Sequence, residues 1–523
     1  MTTVEDINEF FITKKSRKKF EKIIDQSVKL ATDFKLGISD NPLVNYKEQS
    51  EIKKLIYEDF PSNETQIDKI LEEFKEKILD GSVNWSWPGF MAFPDSNNSI
   101  AGTIGHIIQG MTSQNLCNSV HISPTATFVE IQLIKWMREA LGYKVKNIDS
   151  IFDVGGIYTP GGVLSNTISL LLAREKKFSD TMKKGLTIDP KKAKLFLPDG
   201  IGHYSSRTAL GWLGIGTDNV IKVKLKDGFK YDLDDLETKI IESKKRGEIP
   251  FAVVCYAGDS RTMTIDNFDE ISRISKKHDL WMHVDACHGS ALAFSKKYKH
   301  LIDGIEKADS ITLDPHKIFW LPYNLSYVLL KNPEEFKLIS GASDLITNEP
   351  FSLGQISPFI GSWGFHGLKL WFLFKNMGLE KISQQIDHRT DFAKQIQKMI
   401  ANVDDFILMN DVVINSVTFV YLPRKYLIKM KNNEDFYGNL ELINKLNKNI
   451  RETLFEKYDY FVHCFPLKDA SNKLKFNQDY EINMMRIMVS NPILDESKFK
   501  DFINVLRKVS KLELEKIENE FCN

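Results

Sequence analysis

The architecture of this chain follows from residues 250–286, PFAVVCYAGDSRTMTIDNFDEISRISKKHDLWMHVDA. The runs PFAVVCYAG and LWMHVDA are short and apolar and are bounded by Gly, Pro or Asp, which is typical of buried strands. Between them, FDEISRISKKHD has the apolar spacing of an amphipathic helix. Because strand, helix and strand in this order form a parallel pair, the segment predicts an α/β fold that binds ligands at the carboxyl ends of its strands.

The same alternation continues on both sides of this unit. Further strands are predicted in SIFDVG (150–155), KLFLPDG (194–200), NVIKVKL (219–225) and DSITLDP (309–315), and a helix in FVEIQLIKWMREALG (128–142). We therefore expect residues 99–373 to form one large domain, with a mainly parallel sheet and helices on both of its faces.

The segments that flank this domain have other patterns. Residues 1–98 predict a helical N-terminal arm, whose second helix begins near Ser62 or Asn63, and then an aromatic pocket loop, WSWPGFMAFPDSNNS. The apolar stripes of the arm need a partner surface in the same chain or in a second subunit. Residues 374–523 predict a small α+β domain. It is expected to contain helices at 379–400, 441–458 and 496–517 and strands at 413–422, 460–465 and 484–490.

Composition excludes several classes of protein. The 523 residues carry 70 Lys+Arg and 70 Asp+Glu, so the formal net charge is zero and no broad basic field supports nucleic-acid binding. No run of about 18 apolar residues predicts a membrane span, and the N-terminus lacks the apolar core of a secretory signal. The five cysteines are odd in number and scattered, so we expect a reducing, cytoplasmic compartment.

Two predicted strands end in residues whose side chains are well suited to catalysis. In DSITLDPHK, Lys317 follows a strand, where burial is expected to lower the pKa of the amine and make it a nucleophile. In HVDACHG, Asp285 ends an apolar strand, so its carboxylate needs a partner. A metal site at His283, Cys287 and His288 is the alternative, but no second Cys/His cluster completes a four-ligand set.

Two upstream motifs add to this set. TPGGVLSN (159–166) places a glycine turn before an apolar helix, so the N–H groups of Gly162 and Val163 suit an anion. The motif is neither a Walker sequence nor G-x-G-x-x-G, so a dinucleotide is not favoured. In GHYS (202–205), His203 follows a strand-like run and a turn.

In this order, the motifs resemble the group II pyridoxal-phosphate-dependent amino-acid decarboxylases, which include glutamate and aromatic L-amino-acid decarboxylases. TPGGVLSN, GHYS, HVDA-x-x-G and DPHK all match, and LKLWFLFKNMG (368–378) and RIMVSNP (486–492) are also similar to family sequence. The resemblance covers residues from about 40 to about 515. It implies the fold type I architecture of PLP-dependent transferases for the large domain, with pyridoxal 5'-phosphate as cofactor and no metal.

The resemblance also implies roles for individual residues. The catalytic residues would be Lys317, which forms a Schiff base with the cofactor, Asp285, which keeps the pyridine nitrogen protonated, and His203, which stacks on the ring. The remaining cofactor contacts would come from Gly162, Val163, Ser165, Cys287 and His316.

Three departures from the family pattern bear on the reaction. The family often has Asn where this chain has Asp314, and its A-G-T-T motif reads A-G-D-S at 257–260. Many members carry a catalytic tyrosine in a mobile loop, at about 340–366 here, yet no tyrosine occurs between Tyr327 and Tyr421. An aldehyde synthase, a carbon–carbon lyase or an inactive cofactor-binding protein therefore stay open beside a decarboxylase.

For the substrate, we expect an L-amino acid that is converted to its amine and CO2, and we favour an aromatic one. Trp85, Phe93 and Pro94 are similar to the pocket wall of aromatic decarboxylases, and Asp95 would repel an acidic side chain. His121 is a further polar candidate at the substrate. TPGGVLSN is closer to the glutamate branch, so an acidic or other polar amino acid is the alternative.

The resemblance finally implies a homodimer whose active sites lie at the subunit interface, with the mobile loop supplied across it. The amphipathic N-terminal arm is compatible with wrapping around a second subunit. The small amino-acid substrate is the other expected partner, whereas neither nucleic acid nor a membrane is expected.

Overall fold

A computed structural model describes residues 8–37, 42–341 and 350–522 of the protein. The main helices within these residues are α1 (Arg17–Leu36), α2 (Gln49–Ile56), α3 (Ile67–Glu73), α4 (Ile100–Thr112), α5 (Pro124–Ala140), α6 (Gly162–Phe178), α7 (Thr181–Lys184), α8 (Ser205–Trp212), α9 (Leu233–Lys245), α10 (Phe268–His278), α11 (Pro315–Ile318), α12 (Leu368–Ala401), α13 (Arg424–Lys431), α14 (Phe436–Tyr458) and α15 (Glu496–Cys522). A π-helical turn, Phe74–Leu79, continues α3.

The strands form a seven-stranded central sheet, a four-stranded second sheet and a two-stranded ribbon. They are β1 (Gly156–Thr159), β2 (Ala193–Pro198), β3 (Val220–Val223), β4 (Leu225–Lys226), β5 (Lys230–Tyr231), β6 (Ile249–Tyr256), β7 (Trp281–Asp285), β8 (Ser310–Leu313), β9 (Ser326–Leu330), β10 (Phe406–Leu408), β11 (Ser416–Tyr421), β12 (His463–Lys468) and β13 (Glu481–Met488).

The central sheet has the order β1-β9-β8-β7-β6-β2-β3. From β3 to β8 each strand runs parallel to its neighbour, and β9 alone is antiparallel to both β1 and β8. The expected α/β fold with a mainly parallel sheet is confirmed. All five residues of β7 are buried, which explains why its sequence is apolar except at His283 and Asp285.

The strand–helix–strand unit at 250–286 forms where the sequence predicts it. In α10, the Asn267 side chain accepts from the backbone N–H of Glu270 and so starts the helix. Asp279, with φ of 58°, ends it in a left-handed conformation. The apolar stripe of α10 then packs against β6 and β7.

Two local predictions were wrong. SIFDVG is not a strand, because the Ser150 backbone N–H donates to Asp153 Oδ2 at 2.8 Å and closes the short 3-10 turn Ile151–Asp153. The strand β1 begins only at Gly156. The helix α3 begins at Ile67 rather than near Ser62 or Asn63, since neither of those side chains caps it and its apolar spacing starts at Ile67.

The second sheet, β10-β11-β13-β12, is antiparallel and forms the small α+β domain together with α14 and α15. Helix α12 runs across the predicted boundary at 373/374 and bends at Gly378, whose φ is 63°. Leu370 belongs to the core of the large domain, whereas Ile396 belongs to the core of the small one. The exact boundary stays a prediction, because a single helix connects the two cores.

The N-terminal arm lies on the surface of the chain. None of the residues of α1, α2 or α3 is buried. The arm is anchored by a few hydrogen bonds, among them Asn84 Nδ2 to the Phe34 carbonyl at 2.9 Å and the Leu43 N–H to Asp459 Oδ1 at 2.9 Å. Across the described part of the chain, we find no helix whose length and apolar character would let it cross a membrane.

Candidate active site

The carboxyl ends of β6, β7 and β8 meet at a cavity of about 140 Å³. Seven of the residues that the sequence predicts for cofactor or catalysis are brought together there. They are Gly162, Val163, His203, Asp285, Cys287, His316 and Lys317, and the other lining residues are Gly161, Asn166, Tyr204, Tyr256, Gly258, Ser260, His288, Asp314 and Asn324.

Lys317 is held beside a carboxylate. Strand β8 ends at Leu313, and Pro315 fixes the start of the short helix α11, which brings Lys317 Nζ to 2.6 Å from Asp314 Oδ2. Burial lowers the pKa of the Lys317 amine, but the charge and hydrogen bond of Asp314, together with the smaller contributions of Cys287 and Asp95, outweigh it and leave the pKa raised. Burial likewise opposes the ionisation of Asp314, yet the charges of Lys317 and His316 hold its pKa well below the usual range. The expectation of a lowered lysine pKa is therefore wrong, because an ion pair offsets the burial.

Asp285 has two donors and little access to water. Its side chain, in a residue 5% exposed, accepts from Asn166 Nδ2 at 2.8 Å and from the backbone N–H of Cys287 at 3.2 Å. Donors of this kind favour the ionised carboxylate. The structure thus supplies the partner that the sequence required for this acid.

The first turn of α6, where the sequence predicts an anion site, lies at the cavity. No side chain caps the helix, so the N–H groups at Gly162 and Val163 face the cavity without an intramolecular side-chain acceptor. A Cβ on Gly162 would lie 2.9 Å from both Asp314 Oδ2 and Cys287 Sγ, so only glycine fits. Ser165 lies deeper: its hydroxyl is 2.5 Å from that of Thr159, and it does not line the cavity.

His203 is positioned by a turn that requires glycine. Gly202 has a φ of +86°, and a Cβ on it would lie 2.2 Å from the Tyr256 hydroxyl oxygen. His203 Nδ1 accepts from the Ser205 N–H at 3.3 Å. Burial lowers the pKa of His203, so a neutral imidazole faces the cavity.

The predicted substrate residues lie at different distances from this cavity. Asp95 Oδ1 is 3.8 Å from His316 Nε2, and burial raises the pKa of Asp95. Phe93 and Pro94 precede it, with the Phe93 ring against that of His463 at 5.4 Å. His121 is exposed and does not line the cavity of this chain. The role of each remains a prediction.

An aromatic path joins this region to the lysine. The Trp85 ring stacks on Phe93 with centroids 6.4 Å apart and meets the edge of Tyr323 at 5.7 Å. The Tyr323 ring is in turn 5.1 Å from the imidazole of His316, the neighbour of Lys317. The pocket loop therefore packs directly against the segment that carries the amine.

These residues fit pyridoxal phosphate. The uncapped N–H groups at Gly162 suit its phosphate, the buried carboxylate of Asp285 suits a protonated ring nitrogen, and the amine of Lys317 suits its aldehyde. One group opposes the fit: the ionised carboxylate of Asp314 borders the phosphate site at Gly162. Its pairing with Lys317 compensates that charge.

Several lining residues were not assigned a role from the sequence. Asn166 is the last residue of the motif TPGGVLSN. Its position on the inner face of α6 was the sequence feature that could have identified it as a site residue. Tyr256 and Asn324 had no such feature, since each reaches the cavity only through the tertiary fold. His288 was named from the sequence only as part of the alternative metal site. Of the loop at about 340–366 that lacks a tyrosine, residues 342–349 lie outside the described residues. In the described part of the chain, no group of three His, Cys, Asp or Glu side chains is placed to hold a metal ion.

Comparison with known proteins accounts for this arrangement. The pyridoxal-dependent decarboxylase conserved domain matches residues 50–422, more than half of the chain. An aromatic-L-amino-acid decarboxylase of Bacillus atrophaeus is 24% identical, over 81% of this chain and 84% of its own. An L-2,4-diaminobutyrate decarboxylase of Acinetobacter baumannii is 26% identical, over 76% and 77%.

A solved structure shows the same fold. Mouse CSAD superposes with a TM-score of 0.83 at 23% identity, over 94% of this chain and 99% of its own. The lysine, the carboxylate and the anion site occupy one cavity of this fold, and the domain match covers all of them. The chain therefore belongs to the pyridoxal-dependent decarboxylase family and is a PLP-dependent amino-acid decarboxylase, a lyase.

Proposed function

We propose that this protein removes the α-carboxylate of an L-amino acid with a non-acidic, preferably aromatic, side chain, and releases the amine and CO2. The convergence of the Lys317 amine, the Asp285 carboxylate and the free N–H groups at Gly162 on one cavity carries the proposal. When bound, pyridoxal phosphate supplies the aldehyde that captures amines and the ring that accepts the electron pair left by CO2.

The surroundings of each side chain at the cavity support a different proposed role. Lys317 would provide the amine that holds the cofactor, with Asp314 keeping a proton on it beforehand. Asp285, oriented by two donors, would hold a proton at the ring nitrogen. The neutral imidazole of His203 would lie against the ring. Cys287 and His316 would border the cofactor, and Ser165 would stabilise the phosphate turn from behind through Thr159.

Asp95 supports a substrate without a negative side chain. It lies within the electrostatic reach of Lys317, whose pKa its charge raises, and 3.8 Å from His316. An acidic side chain next to it would be repelled. The rings of Trp85 and Phe93, in contact with each other and continuous with Tyr323, offer an aromatic wall instead.

A short cationic substrate is the second candidate, and the same residue favours it. Within the described residues, Asp95 Oδ1 is buried without a hydrogen-bond partner. An ammonium group on the substrate would satisfy this atom. One of the relatives reported above is named a 2,4-diaminobutyrate decarboxylase, which makes such a side chain a suitable probe.

A product assay across a panel of amino acids tests these proposals. The panel contains tryptophan, tyrosine, phenylalanine, 2,4-diaminobutyrate, glutamate and cysteine sulfinate, and CO2, amine, aldehyde and peroxide are all measured. We expect CO2 and amine in equal amounts from an aromatic substrate, and neither from Lys317→Ala. Aldehyde with peroxide would instead establish an aldehyde synthase, and turnover of glutamate alone would overturn the assigned substrate class.

Asp95→Asn separates the two candidate substrates. A cationic substrate would lose most of its kcat/KM in this variant, because its ammonium group loses its counter-charge, whereas an aromatic substrate would change little. No turnover of any amino acid by the cofactor-loaded protein would leave the inactive cofactor-binding protein as the explanation.

We further propose that the active form is a homodimer in a reducing, cytoplasmic compartment. On α4, Ile100, Ile104, Ile107 and Met111 follow helical spacing and are all exposed in the single chain, which supports a covered interface. The exposed His121 would then act at or across this interface. The free thiols of the buried Cys255 and Cys287 support the compartment.

A further inference from the structure

A line of buried polar side chains runs behind Asp285, away from the cavity. Trp281, His283 and Asp285 alternate along β7, so their side chains lie on one face of the sheet. Helix α6 packs on β7 and brings Asn166 to that face. On the neighbouring strand, Ser310 is paired in register with His283.

The hydrogen bonds along this line have a single direction, which Asp285 fixes. A carboxylate only accepts, so Asn166 must turn its amide nitrogen towards Asp285 Oδ2, at 2.8 Å. Its carbonyl oxygen then faces His283 Nε2, at 3.0 Å, and this nitrogen must carry the hydrogen. The other ring nitrogen, Nδ1, is left to accept from the Ser310 hydroxyl at 2.9 Å. Trp281 Nε1 completes the series by donating to Ser310 Oγ at 2.8 Å.

One other contact bears on this series: the Ser310 backbone carbonyl lies 3.2 Å from His283 Nδ1, but a neutral ring has a single hydrogen, and Asn166 takes it at Nε2. Asn166 is 1% exposed, and His283 and Ser310 are 0% exposed, so bulk water does not offer other partners. Burial lowers the pKa of His283 to about 4, so the ring is neutral and has one hydrogen to donate. Hydrogen bonds that point the same way in a buried site strengthen one another.

We infer that Asn166 and His283 are positioning residues for Asp285, which hold its carboxylate in one orientation at the cavity. Asn166 acts directly through its donated hydrogen, and His283 acts through Asn166 by fixing which way the carboxamide points. The inference rests on the proposed function, in which Asp285 meets the ring nitrogen of the cofactor. It adds two residues to which that proposal assigns no role: Asn166, at the border of the cavity, and His283 behind it.

Substitutions of matched shape isolate each link. Asn166→Asp keeps the volume and the acceptor towards His283, but it puts a second acceptor in place of the group that donates to Asp285 and to Ser205 Oγ, each at 2.8 Å. His283→Leu removes the donor to Asn166, whereas His283→Gln retains an N–H at the end of a polar side chain. Asn447→Asp makes the same change at a buried carboxamide in the small domain, which has three hydrogen bonds to Tyr421 and Ile443.

The affinity for pyridoxal phosphate, measured by equilibrium dialysis, is the principal readout. The visible absorbance of the bound cofactor is recorded on the same samples, and folding is checked by thermal unfolding without cofactor. We expect Asn166→Asp to weaken binding roughly 10- to 100-fold, the range for a lost hydrogen bond to a buried charge. His283→Leu should lie between this variant and wild type, with a perturbed absorbance band, and His283→Gln should restore both readouts.

A double substitution separates the positioning role from general damage. In an Asp285→Asn background, Asn166→Asp should cause no further loss of affinity, because Asn166 acts through Asp285. Wild-type affinity and absorbance in Asn166→Asp, an equal loss in both backgrounds, or an equal loss in Asn447→Asp would each overturn the inference. If Asp285→Asn alone bound the cofactor as wild type does, the proposed role of Asp285 would fail as well, and this outcome identifies that failure.

Discussion

The amine of Lys317 lies 2.6 Å from the carboxylate of Asp314, three residues earlier in the chain, and the two form the ion pair at the centre of the cavity. Asp314 is 0% exposed, so its charge is poorly screened and acts strongly on its neighbour. The same carboxylate borders the turn at Gly162 that suits a phosphate. Asp314 therefore opposes two steps of cofactor binding: loss of the proton from the lysine and approach of the phosphate.

We predict that Asp314→Asn accelerates attachment of the cofactor at neutral pH. Without the carboxylate, only the smaller contributions of Cys287 and Asp95 oppose burial, so the pKa of Lys317 falls and a larger fraction of the amine is neutral. The rate should rise roughly tenfold for each unit by which the pKa falls. Stopped-flow measurement of the growing visible absorbance, from pH 6.5 to 9, gives both the rate and its pH dependence.

Asp95→Asn is the matched control for this experiment. The charge of Asp95 also raises the pKa of Lys317, but less than that of Asp314 does, so its removal should produce a smaller acceleration. Equal or slower attachment by Asp314→Asn across the whole pH range would refute the prediction.

A pair of glycine variants tests the turn before His203. Gly200 and Gly202 have φ values of +87° and +86°, but a Cβ on Gly200 meets nothing within 4 Å, whereas one on Gly202 meets the Tyr256 hydroxyl. Gly200→Ala should cost about 1–2 kcal/mol of unfolding free energy through backbone strain alone. Gly202→Ala should cost more than twice as much and also weaken cofactor binding, because His203 must move. Urea denaturation and cofactor titration of both variants provide the comparison, and equal losses would contradict it.

Whether a feature could be predicted from the sequence depended on whether the interactions behind it are local or arise from the tertiary fold. The unit β6–α10–β7 follows from apolar periodicity and local caps, and the residues of the cavity follow from strand ends that parallel strands bring together. The strand predicted at SIFDVG is absent because Ser150 and Asp153 form a hydrogen bond that closes a turn. The apolar content of the segment does not reveal this bond.

Features that depend on the direction in which a side chain points could not be predicted from the sequence. The raised pKa of Lys317 depends on the direction in which Asp314 points, and spacing along the chain does not determine it. The bond from Asn166 to Asp285 joins positions 119 residues apart, and it exists only once α6 has packed on β7. His121 was predicted at the substrate from sequence, but in the single chain it is exposed, so the predicted role requires the proposed second subunit.

Acid should destabilise the protein partly through His283. Burial gives this imidazole a folded-state pKa of about 4, below its ordinary value of 6.5, so the unfolded chain binds a proton in this window that the folded chain does not. Its contribution to stability is fully present above pH 6.5 and is lost as the pH falls towards 4, by about 3 kcal/mol in total. His283→Gln does not titrate, so its unfolding free energy, measured by urea denaturation at several pH values, should fall less steeply. An unchanged slope would show that His283 titrates normally in the folded state.

The exposed stripe on α4 leads to a prediction about assembly. Ile104 is 45% exposed in the middle of this stripe, and a charge placed there would be buried if a second subunit covered the helix. We expect Ile104→Asp to convert a dimer into monomers, measured by sedimentation or light scattering, and to abolish CO2 release if the partner completes the site. Ile241→Asp is the control, because Ile241 on α9 is similarly exposed, at 38%, but belongs to no such stripe. A wild-type protein that is monomeric and active, or an Ile104→Asp variant that stays dimeric, would reject the homodimer that uses this surface.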